Sequence, residues 1–594
     1  MVLEQADFVR KEGTMEDFKP VTLGHKAIWP PFTIPSGVVT VNPDTIVRFA
    51  REVPLGMITT KSVGKTPFNG YTEPVVSQYS TDGISSAIGL STMGYRAWVD
   101  EMKQIYPLKE KFLLVSVFGA NADDIVEVAK AVSEVADGIE INYCCPHSLE
   151  YGEAVAKQSD LTVEITRQVR NAIDLPIVVK LTPNVGDIGK WAESLVEAGA
   201  DAIAAIGPTT AVTVHDEHTG EPVLSFGSGG LSGPAIMERA LECVRSIRAC
   251  VDVPIIASGG ISSAQDVAAF REAGADIFSI GTSLAGFDTP QIKAYFDHML
   301  EGLTSDKKGS TPRLTFDGLH LKHRPYRLRA VEKSGDVAVL RFDESIEAEP
   351  GQFVFVWLPG IGEKPFSLAG NDPLVLGIQS LGKVSAALTA LSVGDTVMVR
   401  GPFGKPISPR PNAVLVAGGC GAVPIRFLAS KMDKPLIILG ATRKERLMFA
   451  DEFKTLGETV VMTDDGSEGG RGTTVDALQD LLAERGLKNP VFYNCGPERM
   501  MVAAVDVELK YATRDRIVIC VERHTCCGVG LCGKCSMDGY RTCVDGPCFT
   551  LDELAETTSF GRYHRGPSGQ IEDPGRPHDG SADAGASCLP GCEG

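Results

Sequence analysis

Four cysteines late in the chain constrain its folding more than any other feature. They lie in Cys527-Gly-Val-Gly-Leu-Cys532-Gly-Lys-Cys535 and, a short loop later, at Cys543 in Arg-Thr-Cys-Val-Asp-Gly-Pro. C-x4-C-x2-C with a fourth cysteine beyond is the plant-type spacing for a [2Fe–2S] cluster. Four thiolates must converge on one inorganic core, so the segment has to fold as a tight loop. Its glycines let the backbone bend over the sulfides and aim N–H groups at them. Zinc more often takes paired C-x2-C knuckles, which favours iron and sulfur as the metal centre of Cys527, Cys532, Cys535 and Cys543. Cys526 duplicates the first ligand by one residue; the count selects Cys527 and leaves its neighbour as the alternative. Cys520 and Cys548 fit no ligand spacing and read as buried thiols.

A one-electron carrier implies electron donors and acceptors elsewhere in the chain. With 594 residues, and about 150 per domain, roughly four units are expected. The first 13 residues are charged and lack the apolar core of a signal peptide. No apolar run approaches the roughly 20 residues that span a bilayer. A net charge of −19 argues against a nucleic-acid surface. Cysteines clustered at ligand spacing suit a reducing cytoplasm better than a disulfide scaffold. The expectation is a cytoplasmic protein without membrane or nucleic-acid partners, its oligomeric state open, a homo-oligomer included.

Between residues 34 and 303 short apolar segments (56–60, 112–118, 138–142, 177–181, 202–206, 255–257, 277–280) alternate with amphipathic helical ones (123–135, 160–172, 188–198, 264–273). Such alternation over roughly 250 residues predicts a (β/α)8 barrel; a doubly wound sheet is the alternative. Residues 304–325 break the pattern and read as a linker whose His-Leu-Lys-His-Arg run is solvated. Residues 327–407 turn to short β runs with Pro-Gly and Gly-Asp turns, which predicts a small antiparallel barrel. Strand–helix alternation returns over 413–511. The residues after 566 are rich in Gly, Pro, Ser and Asp and read as disordered.

Two glycine turns, Ser258-Gly259-Gly260 and Gly281-Thr282-Ser283, follow the last two barrel strands, where such barrels bind a phosphate through backbone N–H groups. Lys61 and Lys180 emerge at strand ends, and a buried lysine needs an anion; a reduced flavin ring is one candidate, and plain strand-end exposure is the alternative. Asn142 closes a strand and offers donor and acceptor to a planar ring. Cys145 follows on the loop and reads either as a proton-transfer group or as a small packed residue.

The runs Ser86-Ala-Ile-Gly-Leu90, Asn142-Tyr-Cys-Cys-Pro-His147, Lys180-Leu-Thr-Pro-Asn184 and Gly229-Gly-Leu-Ser-Gly-Pro234 resemble class 1 dihydroorotate dehydrogenases and the related domain of dihydropyrimidine dehydrogenase. The resemblance implies an FMN-binding (β/α)8 TIM barrel with Cys145 catalytic. It implies FMN contacts at Ser36, Gly37, Lys61, Asn142, Lys180, Ser232, Gly233, Gly259, Gly260, Gly281 and Thr282, and a substrate held near Ser86, Asn142 and His147.

Residues from about 325 to 555 resemble the electron-transfer subunit of the NAD-linked class. Lys364-Pro365-Phe366-Ser367 matches its flavin motif with Lys in place of Arg, a point charge for a fork. Gly382, Lys383, Val384 and Ser385 fit the second flavin loop. Gly418, Gly419 and Gly421 form a glycine turn suited to a dinucleotide phosphate, and Cys495-Gly496-Pro497 fits the nicotinamide-side loop. The implied domains are an FMN barrel over 1–303, a linker over 304–325, an FAD-binding β-barrel over 326–408, an NAD-binding α/β domain over 409–513, a cluster domain over 514–560 and a disordered tail over 561–594.

The implied activity passes electrons between NAD(H), FAD, the cluster, FMN and a cyclic substrate with an activated carbon–carbon bond, direction open. Dihydropyrimidine dehydrogenase-like ring reduction is an alternative. A carrier delivering electrons to a partner protein is the rival from another class. Where the family holds dihydroorotate with asparagines, this chain has Ser86, Thr92, His147 and Gly207-Pro208, which predicts a changed substrate.

Overall fold

The computed structural model describes residues 19–145, 151–304 and 314–573. Eight short strands, Phe32–Thr33, Met57–Thr59, Phe112–Val117, Gly138–Asn142, Ile177–Leu181, Ala202–Ala205, Ile255–Ser258 and Ile277–Ser279, form one parallel sheet. Its order runs from the first strand to the eighth and then back down to the second, so the first two strands face each other across the seam. Gly56 N donates to Phe32 O at 3.2 Å there, and the hydroxyls of Thr33 and Thr59 lie 3.0 Å apart.

Strands buried on both faces are rich in apolar residues; 177–181 carries Ile, Val, Val and Leu around Lys180, and 138–142 carries two isoleucines around buried Glu140. The helices between them bury one stripe. Ala122–Val132 buries Ile125, Val128, Ala129 and Val132 and is capped by Asn121, whose side chain accepts from Asp124 N. Ala264–Glu272 starts in a capping box between Ser263 and Asp266. The architecture is the expected barrel.

A four-stranded antiparallel sheet, Val76–Ser80, Gly83–Ser86, Thr209–Val212 and Gly229–Ser232, is added outside the barrel's own strands. Six strands from Arg324–Ser334 to Thr396–Phe403 then close an antiparallel barrel. A seven-stranded sheet follows, built on Ala413–Gly418 and flanked by Leu436–Ala441 and Val491–Cys495. Its last strand, Cys548–Thr550, runs antiparallel to Ile517–Cys520. Between those two strands lies the cysteine-rich loop.

Three expectations need correcting. The described part of the linker is only partly solvated: His320, Lys322 and Arg324 are exposed, but Phe316, Leu321 and His323 are buried, because apolar side chains in the connector find the seam between the two barrels. Residues 561–573, expected in a disordered tail, form a hairpin pairing His564–Arg565 with Ile571–Glu572. Buried Arg565 holds it to the first barrel through Glu101 at 2.9 Å; later residues of the tail lie outside the described ones. Cys520 and Cys548 are not thiols but face each other across the antiparallel pair as a disulfide.

Candidate active site and electron path

Lys180 Nζ donates to Ser36 Oγ at 2.9 Å, which brings the ends of the first and fifth barrel strands together. Thr282 Oγ1 donates to Ser232 Oγ at 2.9 Å. Beside them Gly260 has φ +87, and a Cβ there would stand 3.0 Å from Gly233 O; only glycine keeps this cradle open. Ser36, Lys180, Ser232, Gly233, Gly260 and Thr282 therefore converge at one mouth of the barrel. A buried ammonium beside hydroxyls and bare backbone suits a phosphorylated flavin.

Asn142 is fixed from both ends. Its Nδ2 donates to Ser62 Oγ at 2.8 Å, while its Oδ1 accepts from Cys144 N and Cys144 Sγ, both at 3.0 Å. Cys144 is buried, and burial pushes its thiol up to about 12, so it stays protonated. Cys145 is half-buried. It lies near enough to act electrostatically on Lys61 and on Tyr71. His147 lies outside the described residues. Ser86 pairs across the added sheet with Val76 and Gly230.

Lys61 is buried, and its Nζ donates to Gly89 O at 3.3 Å. Burial first, and then the Lys534 ammonium, pull it down to about 8. Cys532 is also within electrostatic reach, so the cluster loop stands directly over the barrel mouth. Val39 N donates to Leu531 O at 2.8 Å, and Gly286 N donates to Val529 O at 2.9 Å. One apolar core joins Val75, Val76 and Ile84 of the first barrel to Phe353, Phe355 and Phe403 of the second and to the loop's cysteines.

Within that loop Cys535 Sγ lies 3.4 Å from Cys543 Sγ, and Gly530 N donates to Cys543 Sγ at 3.3 Å. Cys527 lies against Cys532 and Cys543. All four sulfurs are buried, and this set suits an iron–sulfur core. Cys526 also reaches Cys532, but its Sγ donates to Glu73 Oε1 at 2.8 Å and lies 3.3 Å from His524 Nε2. It therefore belongs to a second group, which Lys364 completes by pairing with Glu73 at 2.9 Å.

Lys364, expected at a flavin, thus bridges the two barrels. Its neighbours Pro365, Phe366 and Ser367 lie along Gly362–Asn371, paired with Phe353–Leu358. Ser385 Oγ accepts from Leu381 N and Gly382 N, both at 2.9 Å, and fixes the turn before the helix Lys383–Ala390. In the α/β unit a Cβ on Gly421 would overlap Cys495 O. The turn 418–421 and the segment Cys495-Gly496-Pro497 therefore meet at the carboxyl ends of neighbouring parallel strands, where such sheets bind dinucleotides.

Residues 21–303 match the model of the dihydroorotate dehydrogenase family. The catalytic subunit of dihydroorotate dehydrogenase B (NAD(+)) from Pyrococcus abyssi is 35% identical over 279 residues, 46% of this chain and 89% of that protein. The probable electron transfer subunit from Pyrococcus horikoshii is 38% identical over 244 residues, 41% of this chain and 94% of that protein. The chain belongs to this family. It joins in one polypeptide the counterparts of the two subunits of what is, in its relatives, an NAD-linked oxidoreductase. Among the described residues no helix is long and apolar enough to cross a membrane.

Sequence reasoning missed Glu73, His323 and Lys534. Each acts through a partner distant in sequence, and no local spacing marks it.

Proposed function

We propose that the chain oxidises or reduces a carbon–carbon bond of a dihydroorotate-like ring at the first barrel and exchanges the electrons with NAD(H) at the α/β unit. The carrying observation is the docking of the cluster loop on the barrel mouth through Val39 and Gly286, with Phe353, Phe355 and Phe403 of the second barrel packed on the same loop. When bound, the two flavins and the cluster supply hydride and single-electron exchange between substrate and nicotinamide. In the oxidative direction a hydride equivalent leaves one ring carbon for NAD+, and a proton leaves the adjacent carbon for Cys145.

Asn142, held by Ser62, presents its amide edge to the ring. Cys144 stays protonated and positions Asn142. Ser36, Gly37, Lys61, Lys180, Ser232, Gly233, Gly259, Gly260, Gly281 and Thr282 would hold FMN. Residues 364–367 and 382–385 would hold FAD, and Gly418, Gly419, Gly421 and residues 495–497 would hold NAD(H). Cys527, Cys532, Cys535 and Cys543 are the proposed cluster ligands. Boundaries near residues 303, 326 and 409 belong to this reading, whereas the α/β sheet continues past 514 through Ile517–Cys520 and Cys548–Thr550 and carries the cluster loop as an insertion. A net charge of −19 supports an enzyme without a nucleic-acid partner, and cysteines at cluster-ligand spacing support the cytoplasm, against which the Cys520–Cys548 disulfide counts.

Anaerobic NADH titration of Cys527→Ser tests the order. NADH should still bleach one flavin while the second stays oxidised, and iron content should fall. Complete bleaching of both flavins in that variant would overturn the path through the cluster.

A further inference from the structure

Arg400 belongs to the second barrel, yet its side chain ends on the cluster loop. It is buried on the strand Thr396–Phe403. Its Nη1 donates to Cys527 O at 3.1 Å and its Nη2 to Cys526 O at 3.4 Å. The guanidinium carbon stands 4.1 Å from the centre of the Phe355 ring and 5.2 Å from that of Phe403. The same two rings floor the loop: Gly528 has φ +82, and a Cβ there would stand 2.9 Å from Phe403 and 3.0 Å from Phe355. Only glycine lets the peptide after the first ligand lie down on the guanidinium and the rings together. The contact is buried, and a fixed charge acts more strongly there than in water.

The charge on Arg400 is answered from the second barrel and the connector. Glu363, also buried, accepts from Nε and Nη2 at 2.7 and 2.6 Å, and His323 Nε2 lies 2.7 Å from Glu363 Oε1. The cation touches the ligand's peptide, and the carboxylate reaches it only through the cation. Two further buried cations meet the same loop: Lys534, which donates to Asn69 O at 2.8 Å, and Arg541, which donates to Gly530 O at 3.1 Å and lies 3.7 Å from Asp545. A cluster on four thiolates gains negative charge with each electron, and the charges and hydrogen bonds around it set its potential. We infer that Arg400 is a positioning residue of the electron path: its charge, aimed at the Cys527 peptide and moderated by Glu363, raises the potential of the cluster. The inference rests on the reading of Cys527 as a cluster ligand. It gives the second barrel, which carries the flavin motif, direct control over how readily the cluster accepts an electron.

Potentiometric titration of the intact holoenzyme, read by the EPR signal of the reduced cluster, tests this with two variants of opposite sign. Glu363→Gln leaves Arg400 an acceptor and removes only the negative charge. Its cluster should be easier to reduce by about tenfold, a rise in midpoint of about 59 mV for one electron. The double variant Arg400→Met with Glu363→Leu removes the cation beside the ligand together with its partner, and its midpoint should fall below that of wild type. A purely structural network would loosen the loop in both variants and move both midpoints the same way. An unchanged midpoint in Glu363→Gln, a shift of the same sign in both variants, or loss of the cluster from Glu363→Gln would overturn the assignment. The Glu363→Gln shift decides alone should the double variant lose its cluster. A wild type whose reduced form gives no cluster signal would instead overturn the ligand set on which the inference rests.

Discussion

Two groups of buried charge lie where the modules meet, and they are built in opposite ways. In the first, Arg400 donates Nε and Nη2 to Glu363 at 2.7 and 2.6 Å, His323 Nε2 lies 2.7 Å from the same carboxylate, and Arg400 Nη1 donates to Cys527 O at 3.1 Å. The guanidinium also stacks over Phe355 at 4.1 Å. Each charge here has an opposite charge or a carbonyl, and the group ties the connector, the second barrel and the cluster loop into one scaffold. In the second, Lys61 donates to Gly89 O and Lys534 to Asn69 O, with no carboxylate on either, while the Cys145 and Cys532 sulfurs lie within electrostatic reach of Lys61. The first group is a closed network of ion pairs, whereas the second leaves its two ammoniums to carbonyls and sulfurs.

The difference breaks most directly by mutation. Arg400→Met leaves Glu363 buried without its main partner and should cost about 3–5 kcal/mol, read as a lower unfolding midpoint and loss of cluster. Pairing that change with Glu363→Leu should recover much of the stability, since removing a whole buried ion pair is often neutral. Lys534→Met should leave the unfolding midpoint unchanged or raised, because it removes a buried charge that no carboxylate offsets. A destabilisation by Lys534→Met as large as that by Arg400→Met would erase the distinction.

Within the barrel, Cys145→Ala should abolish ring turnover and spare NADH oxidation by an artificial acceptor, as measured in parallel assays. Cys145→Ser should retain a trace of activity rising with pH, since a hydroxyl is the weaker acid. Cys144→Ala loses one hydrogen bond to Asn142 and should cost about 1 kcal/mol, a several-fold drop in turnover at most. Full activity in Cys145→Ala would move the proton to another group, His147 first.

Local pattern made the strands 138–142 and 177–181 legible, because β-branched residues recur in both between helical segments, even where Glu140 and Lys180 interrupt them. Cysteine spacing likewise disclosed the cluster loop. Neither signal reaches across the chain. His323 looks like a solvated connector residue until Glu363 supplies a buried carboxylate. Lys364 matches a flavin motif, yet pairs here with Glu73. Arg565 looks like part of a polar tail until Glu101 anchors it. Lys534 is one residue in a C-x2-C, and its destination depends on how the loop docks. The missing information is tertiary pairing, to which periodicity and spacing are blind.

Glu73 joins the second barrel to the first and should show in the acid limb of stability. Burial alone would push its carboxyl up, but Lys364, His524 and the Cys526 hydrogen bond hold it down, from 4.5 to about 2. A folded pKa below the unfolded one contributes stability that is full above the unfolded value and fades as pH falls toward the folded one. The unfolding midpoint of wild type should therefore drop between about pH 5 and about pH 3 more steeply than that of Glu73→Gln. Parallel curves would show that Glu73 contributes nothing to the pairing of the barrels.

Glu508 sharpens the comparison from the other side, as a buried carboxyl with no ion-pair partner among the described residues and a hydrogen bond from Asn494 Nδ2 at 3.0 Å. Burial raises its carboxyl from 4.5 to about 8, only partly offset by the hydrogen bond from Asn494. At neutral pH it is an uncharged acid, so it needs no counter-ion. Its Oε1 and Asn494 Oδ1 have no partner. The unfolded chain ionises above 4.5 while the folded chain keeps its proton up to about 8, so stability falls as pH rises through that window. The amide introduced by Glu508→Gln never ionises and can donate to Asn494 Oδ1. Glu508→Gln should therefore match wild type near about pH 4 and exceed it near about pH 8 by about 4 kcal/mol, roughly 1.4 kcal/mol for each pH unit of the window. Unfolding midpoints at the two pH values test this. A gain present equally at both would mean that the carboxyl is not the source, and that packing around Asn494 sets the difference.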